Sequence, residues 1–160
     1  MKKNFFFDII SSFKGKYINL PRRQTYFSAG YDFESATNII IKSKEIVLVP
    51  TGIKACFDKD KVLLIYSRSS LSLKKGLMLA NNVGVIDSDY YNNDYNEGHI
   101  FIPLYNFSDR DVLINKNERI AQGILQRFYL TNDDNLINKN NFQKEKIMKK
   151  RKSGFGSTDL

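Results

Sequence analysis

The sequence predicts an all-β chain, a jelly-roll-like β-barrel or sandwich, and three observations carry that reading. Short β-rich runs recur, turn residues separate them, and helix-length amphipathic periods are rare. The runs are Ile39–Ile41, Glu45–Pro50, Val62–Tyr66, Leu77–Ala80, His99–Asn106, Arg110–Ile114 and Ile120–Tyr129. IVLVP and KVLLIY have the aliphatic, β-branched character of strands. Turn signals fall between the runs, at Pro50-Thr51-Gly52, Asp58-Lys59-Asp60, Asn81-Asn82 and Asn115-Lys116-Asn117.

A chain of 160 residues with 42% hydrophobic content can build one core without a disulfide or metal staple. One Cys and one His exclude a disulfide framework, a Cys/His zinc site and an HExxH metalloprotease. A single Cys suits a reducing compartment, and a cytoplasmic protein is expected. No apolar run approaches the ~18 residues of a membrane helix. MKKNFFFDII resembles the start of a signal peptide, but Asp8 interrupts its apolar stretch, and no cleaved leader is expected.

The net charge of +8 suggests nucleic acid until its distribution is read. Residues 139–152 carry seven cationic side chains against Glu145, a net +6, so the rest of the chain carries only +2. Such a run is usually a solvated segment. No helix-turn-helix pattern, zinc finger or RNA-binding aromatic motif accompanies it, and nucleic acid is not an expected partner.

Two stretches depart from the strand pattern. SDYYNNDYNEG, residues 88–98, reads as a hairpin loop longer than a tight turn. After Leu130 the chain turns polar and then basic. This divides it into a β domain over residues 1–130 and a linker with a C-terminal arm over residues 131–160. The arm ends SGFGSTDL, small donors around one aromatic, which suits either a segment that orders over a ligand or a frayed end.

The usual nucleotide and hydrolase signatures are missing: there is no GxxxxGK(S/T) loop, no GxGxxG and no GxSxG elbow. Carboxylates, hydroxyls and Ser/Gly backbone amides remain. These suit metal-assisted phosphate chemistry, because Mg²⁺ needs only one or two carboxylates besides substrate phosphates and water.

Five segments fit that chemistry. They are Ala29-Gly30-Tyr31-Asp32-Phe33-Glu34-Ser35-Ala36, Arg68-Ser69-Ser70-Leu71 with Lys74-Lys75-Gly76, Gly84-Val85-Ile86-Asp87-Ser88-Asp89-Tyr90, Arg119-Ile120-Ala121-Gln122, and Arg151-Lys152-Ser153-Gly154-Phe155-Gly156-Ser157-Thr158. In this order and spacing they resemble the five motifs of trimeric dUTP diphosphatases (dUTPases), over a stretch from about Leu20 to the C-terminus. Each motif alone is weak, and the set of five is highly specific.

The resemblance implies a β jelly roll, a homotrimer with shared active sites, and hydrolysis of dUTP to dUMP and diphosphate with Mg²⁺. It gives Asp87 the activation of the water that attacks the α-phosphorus. An aspartate is a weak base, so positioning would have to supply much of the catalysis. Gln122 would bond a phosphate or the attacking water. Tyr90 would pack against the deoxyribose and exclude a 2′-hydroxyl. Asn81 would contribute to the uracil pocket, with Asn82 adjacent. Ser69 and Ser70 would meet the phosphates, supported by Arg68. Asp32 would hold waters of the Mg²⁺ shell, although a structural Arg68–Asp32 ion pair is the alternative. In the arm, Phe155 would stack on uracil beside Gly156, and Arg151, Ser157 and Thr158 would close over the γ-phosphate.

Several positions depart from the family pattern. Ser70 and Ser153 stand where Gly is frequent, Asp159 follows Thr158 in place of Gly, and Tyr91 replaces a common Arg. Asn92, Asn93, Asp94 and Asn96 lengthen the third-motif hairpin. His99 reads as a strand-start residue and Cys56 as buried and inert. The related dCTP deaminases place a catalytic Glu in a strand resembling LELxN. Here that strand is Ile102-Pro103-Leu104-Tyr105-Asn106, and Pro103 cannot carry a proton. Some phage members of the family bind repressor proteins, and the long hairpin and tail are the surfaces such a role would use.

Overall fold

The structure is a computed structural model that describes residues 5–134. Eleven strands run through these residues: β1 Phe6–Ile9, β2 Tyr31–Glu34, β3 Ile39–Ile41, β4 Ile46–Pro50, β5 Ile53–Cys56, β6 Lys61–Ser67, β7 Leu77–Leu79, β8 Gly84–Asp87, β9 Phe101–Asn106, β10 Val112–Ile114 and β11 Arg119–Arg127. A short helix, α1 (Ser69–Lys75), joins β6 to β7. All strand pairs are antiparallel. One sheet has the order β2-β11-β6-β8 and a second the order β4-β9-β7, with two-stranded ribbons β1–β5 and β3–β10 beside them.

The core follows from strand alternation, which sends every second side chain to one face. In β6, Leu63 and Ile65 are fully buried while their neighbours are half-exposed. They meet Phe33 of β2, Ile102 and Leu104 of β9 and Ile120 and Ala121 of β11 in one continuous cluster. Ile120 and Ala121 are consecutive and both inward because β11 slips register against β2 between Arg119 and Ala121. A bulge of this kind bends the strand and re-aims the side chains beside it.

The seven strands read from the sequence are all present, with ends shifted by one or two residues. His99–Asn106 begins at Phe101, and Ile120–Tyr129 spans Arg119–Arg127. The expected turns close as read, with Gly52, Asn82 and Asn117 at positive φ. Phe6–Ile9, the apolar start that resembled a leader, is a strand registered against Cys56–Ile53. The expected burial of Cys56 is corrected: at the last position of β5 it is half-exposed, whereas Ile53, Lys54 and Ala55 before it are buried. Burial and then the nearby Asp58 still raise its thiol pKa, which keeps it a poor nucleophile. Among the described residues no helix is long and apolar enough to cross a membrane.

Candidate active site

The first group of site residues gathers where β2, β6 and β11 lie side by side. Gln122 of β11 stands opposite Asp32 of β2 on one side and Tyr66 of β6 on the other. Its Nε2 donates to the Ser67 carbonyl at 3.2 Å. Asp32 is nearly buried and holds two guanidiniums: Arg68 Nε lies 3.3 Å from Oδ1, and Arg119 Nη1 lies 3.5 Å from Oδ2. Arg68 Nη1 also donates to the Arg119 carbonyl at 3.3 Å. The expected Arg68–Asp32 pair therefore exists. Arg119, the first residue of the fourth motif and one to which the resemblance gives no role, enters it as well.

Arg68 is followed at once by α1, which the strand pattern did not announce because only Leu71 of its seven residues is buried. Ser69 and Ser70 open this helix. Gly76 closes it in the left-handed conformation, φ 66°, and a β-carbon there would also stand 2.7 Å from Cβ of Ser108. The helix and the β10–β11 turn enclose a cleft of about 340 Å³ lined by Arg68, Ser70, Lys74, Lys75, Glu118 and Arg119, among others. Lys75 pairs with Glu118 at 2.6 Å across it. Four cations against one carboxylate make the cleft suited to an anion.

The second group lies elsewhere on the sandwich. Asn81 and Tyr90 line one cavity of about 140 Å³, walled by Ile65, Leu79, Ile86 and Pro103. Pro103 helps to make this space. Its carbonyl accepts from Ala80 N at 2.9 Å, but its ring nitrogen has no proton to return, and the β7 ladder stops at Leu79. Tyr90 is only 4% exposed, and its hydroxyl donates to the His99 carbonyl at 2.9 Å. His99, expected as a strand start, sits just before β9; its Nε2 accepts from Gly52 N at 2.9 Å. Burial depresses its pKa to about 4.

Asp87 ends β8 opposite Val62, near the start of β6, whereas Arg68 follows the last residue of β6. Six steps along the chain lead from Val62 to Arg68, which at about 3.4 Å each is roughly 20 Å. Within one chain, then, Asp87 and the Arg68–Ser70 cluster lie at opposite ends of a strand. The remaining expected site residues, Arg151, Phe155, Gly156, Ser157 and Thr158, lie outside the described residues.

A sequence model of the dUTPase family matches residues 16–159. The chain belongs to the dUTPase family. Among its relatives is the deoxyuridine 5′-triphosphate nucleotidohydrolase of Lactococcus lactis subsp. lactis (strain IL1403), 46% identical over 152 residues and covering 95% of each chain. The corresponding protein of Finegoldia magna is 40% identical over 111 residues, 68% of this chain and 73% of that one. The crystal structure of dUTPase from Streptococcus mutans superposes with a TM-score of 0.76 at 45% identity, covering 79% of this chain and 98% of that one. The dUTPase motifs thus sit on a jelly-roll-like scaffold, three on sheet strands and one on the β6–β7 crossover helix.

Proposed function

We propose that this dUTPase-family chain hydrolyses dUTP to dUMP and diphosphate, and that the chains of a homotrimer share the building of each site. The observation that carries this reading is the split of the site. The cavity of Asn81 and Tyr90 reaches Ile65 of β6, but Asp87 and Arg68 stand at opposite ends of that strand, roughly 20 Å apart along it. A second copy that supplies one end would bring Asp87 and the phosphate-binding groups to one substrate, which is the arrangement of a homotrimer with shared sites.

Uracil and deoxyribose enter the Asn81–Tyr90 cavity. Tyr90 is held rigidly there, so a 2′-hydroxyl would meet a wall that cannot retreat. Asp87, at the mouth of the β8 strand, accepts a proton from water as its oxygen attacks the α-phosphorus. The bond from that phosphorus to the bridging oxygen breaks, diphosphate leaves, and the proton passes from Asp87 to solvent. Ser69, Ser70, Arg68 and Gln122 bind and orient the phosphates, which converts a weak base into an effective one through placement. Phe155 stacks on the base, and Arg151, Gly156, Ser157 and Thr158 close the site against water.

The donor set fits Mg²⁺ carried on the substrate and does not fit a protein cage. Among the described residues no three metal-ligating side chains cluster, and each oxygen of Asp32 faces a guanidinium. Asp32 would hold the ion through water, and bound Mg²⁺ would neutralise phosphate charge and the leaving diphosphate. Deamination of dCTP is disfavoured by Pro103, which lines the base cavity where an acid–base group would be needed.

The test is diphosphate release from dUTP, dTTP, dCTP and UTP with Mg²⁺. Turnover of dUTP alone is expected. No release from dUTP by the folded protein would overturn the reading.

A further inference from the structure

The long loop after Tyr90 does not close the hairpin expected from the sequence: it carries the chain from β8 in one sheet to β9 in the other, and it is built around that tyrosine. Asn96 Nδ2 donates to the Tyr90 hydroxyl at 2.8 Å, and the hydroxyl donates to the His99 carbonyl at 2.9 Å. The orientation of the Asn96 amide is fixed by its other end, since Oδ1 accepts from Asn93 Nδ2 at 2.8 Å and from Gly98 N at 3.1 Å. Asn93 Nδ2 also donates to the Tyr90 carbonyl at 2.9 Å, which closes a ring of bonds around Tyr90. Asn93 Oδ1 accepts from the backbone of Tyr95 and Asn96. Gly98, φ 83°, lets the chain pass so close to Tyr90 that a β-carbon would lie 2.5 Å from the Tyr90 carbonyl oxygen.

The outer side of the loop is fastened to the sandwich. Nearly buried Lys54 donates to Asn92 Oδ1 at 2.7 Å and pairs with Glu97 at 3.4 Å, and Glu97 accepts from Ser11 N and Oγ. Tyr91 packs edge-on against Phe6. The loop cannot drift without breaking these contacts, so the asparagine ring is anchored at both ends.

We propose that Asn96 is a positioning residue for sugar selection: its amide, locked by Asn93, holds the Tyr90 hydroxyl so that the ring stays a fixed wall against ribose. This rests on the dUTP-hydrolysing reading of the same cavity. A wall rejects an extra hydroxyl only as far as it resists displacement, and two hydrogen bonds on the phenol oppose that displacement. Asn96 acts through Tyr90 and touches no substrate in this account.

The experiment measures kcat/KM for dUTP and UTP with Mg²⁺ in the wild type, Asn96→Ala, Tyr90→Phe and the double variant. Asn96→Ala is expected to narrow the dUTP/UTP ratio by about fivefold or more, the effect of one net hydrogen bond. In the Tyr90→Phe background the same change is expected to narrow it no further, because the hydroxyl it serves is gone. A purely structural role would give equal effects in both backgrounds, and that result would overturn the proposal. Asn96→Asp keeps the side-chain shape but makes the phenol donate to it and release His99, so its ratio should fall between wild type and Asn96→Ala. It is the deciding variant if Asn96→Ala does not fold, and an unchanged ratio there would also overturn the proposal. A wild type that fails to turn over dUTP would instead sink the underlying function, so the two failures are distinguishable.

Discussion

A β-carbon at Gly30 would stand 2.5 Å from Oε1 of Gln122, so the backbone of the first motif and the amide of the fourth are packed against each other. Cβ and Cδ of Gln122 would lie 3.2 and 3.3 Å away, and its Nε2 is engaged with the Ser67 carbonyl. Gly30→Ala therefore acts by displacing Gln122. It should lower kcat/KM for dUTP by roughly tenfold or more through misplacement of one phosphate-site group. Adding Gln122→Ala should then cost little extra, because the two changes disturb one contact. Steady-state kinetics of the two single variants and the double variant check this; independent, additive losses would show that Gly30 serves something else.

Asp87→Asn should remove diphosphate release while leaving the fold intact. Positioned acid–base groups contribute about 10²–10⁴-fold, so the fall in kcat should lie in that range. Asp87 is half-exposed at the end of β8, with the hydrophobic cluster behind Leu63 and Ile65, so the melting temperature should hardly move. Binding of dUMP measured by calorimetry should survive. Full turnover by the variant would take the base role from Asp87.

The strands with clean alternation were legible because alternation is what a half-buried sheet requires. Val62–Tyr66 is a plain case, with Leu63 and Ile65 inward. β1, β2, β5 and α1 were not among the runs read from the sequence. Phe6–Ile9 has an irregular pattern because it forms an edge ribbon, and α1 buries only Leu71, so neither shows its period. The motif residues were legible as a set, but their division between two ends of β6 depends on register, which no motif encodes. The role of Asn96 was hidden for the same reason. An asparagine-rich loop looks like solvated turn until Asn93 is found buried and bonded to Tyr90.

Buried His99 should make stability depend on pH in a definite window. Its folded pKa is about 4, below the usual 6.5, because burial disfavours the charged ring more than the nearby Glu97 carboxylate favours it. The unfolded chain then binds more protons below pH 6.5. Its contribution is complete above 6.5 and is lost progressively as pH falls towards 4, by roughly 3 kcal/mol in all. Carboxylates whose pKa values are lowered by partners, such as Asp109 beside Lys44, release their contribution only at lower pH. Urea unfolding at pH 7.5, 6.0 and 4.5 should show the decline. His99→Gln, which keeps an acceptor for Gly52, should flatten it between pH 6.5 and 4.5. A wild-type profile flat across that window would mean that the ring is protonated without cost.

Shortening the chain after Lys150 should separate activity from stability. Residues 151–160 hold the proposed base-stacking Phe155 and the phosphate-closing Arg151, Ser157 and Thr158, whereas the hydrophobic cluster seen among the described residues is built from the strands of the β domain. Base–aromatic stacking contributes about 1–3 kcal/mol, so its loss alone should lower kcat/KM by roughly 5–150-fold. The melting temperature should stay within a degree or two. Phe155→Ala should reproduce much of the kinetic loss, and Phe155→Trp should restore it, because stacking needs a flat aromatic face more than a particular ring. Equal activity of the full and shortened chains would place closure of the site in the β domain itself. A large fall in melting temperature would instead make the arm part of the fold, and its kinetic effect a consequence of stability.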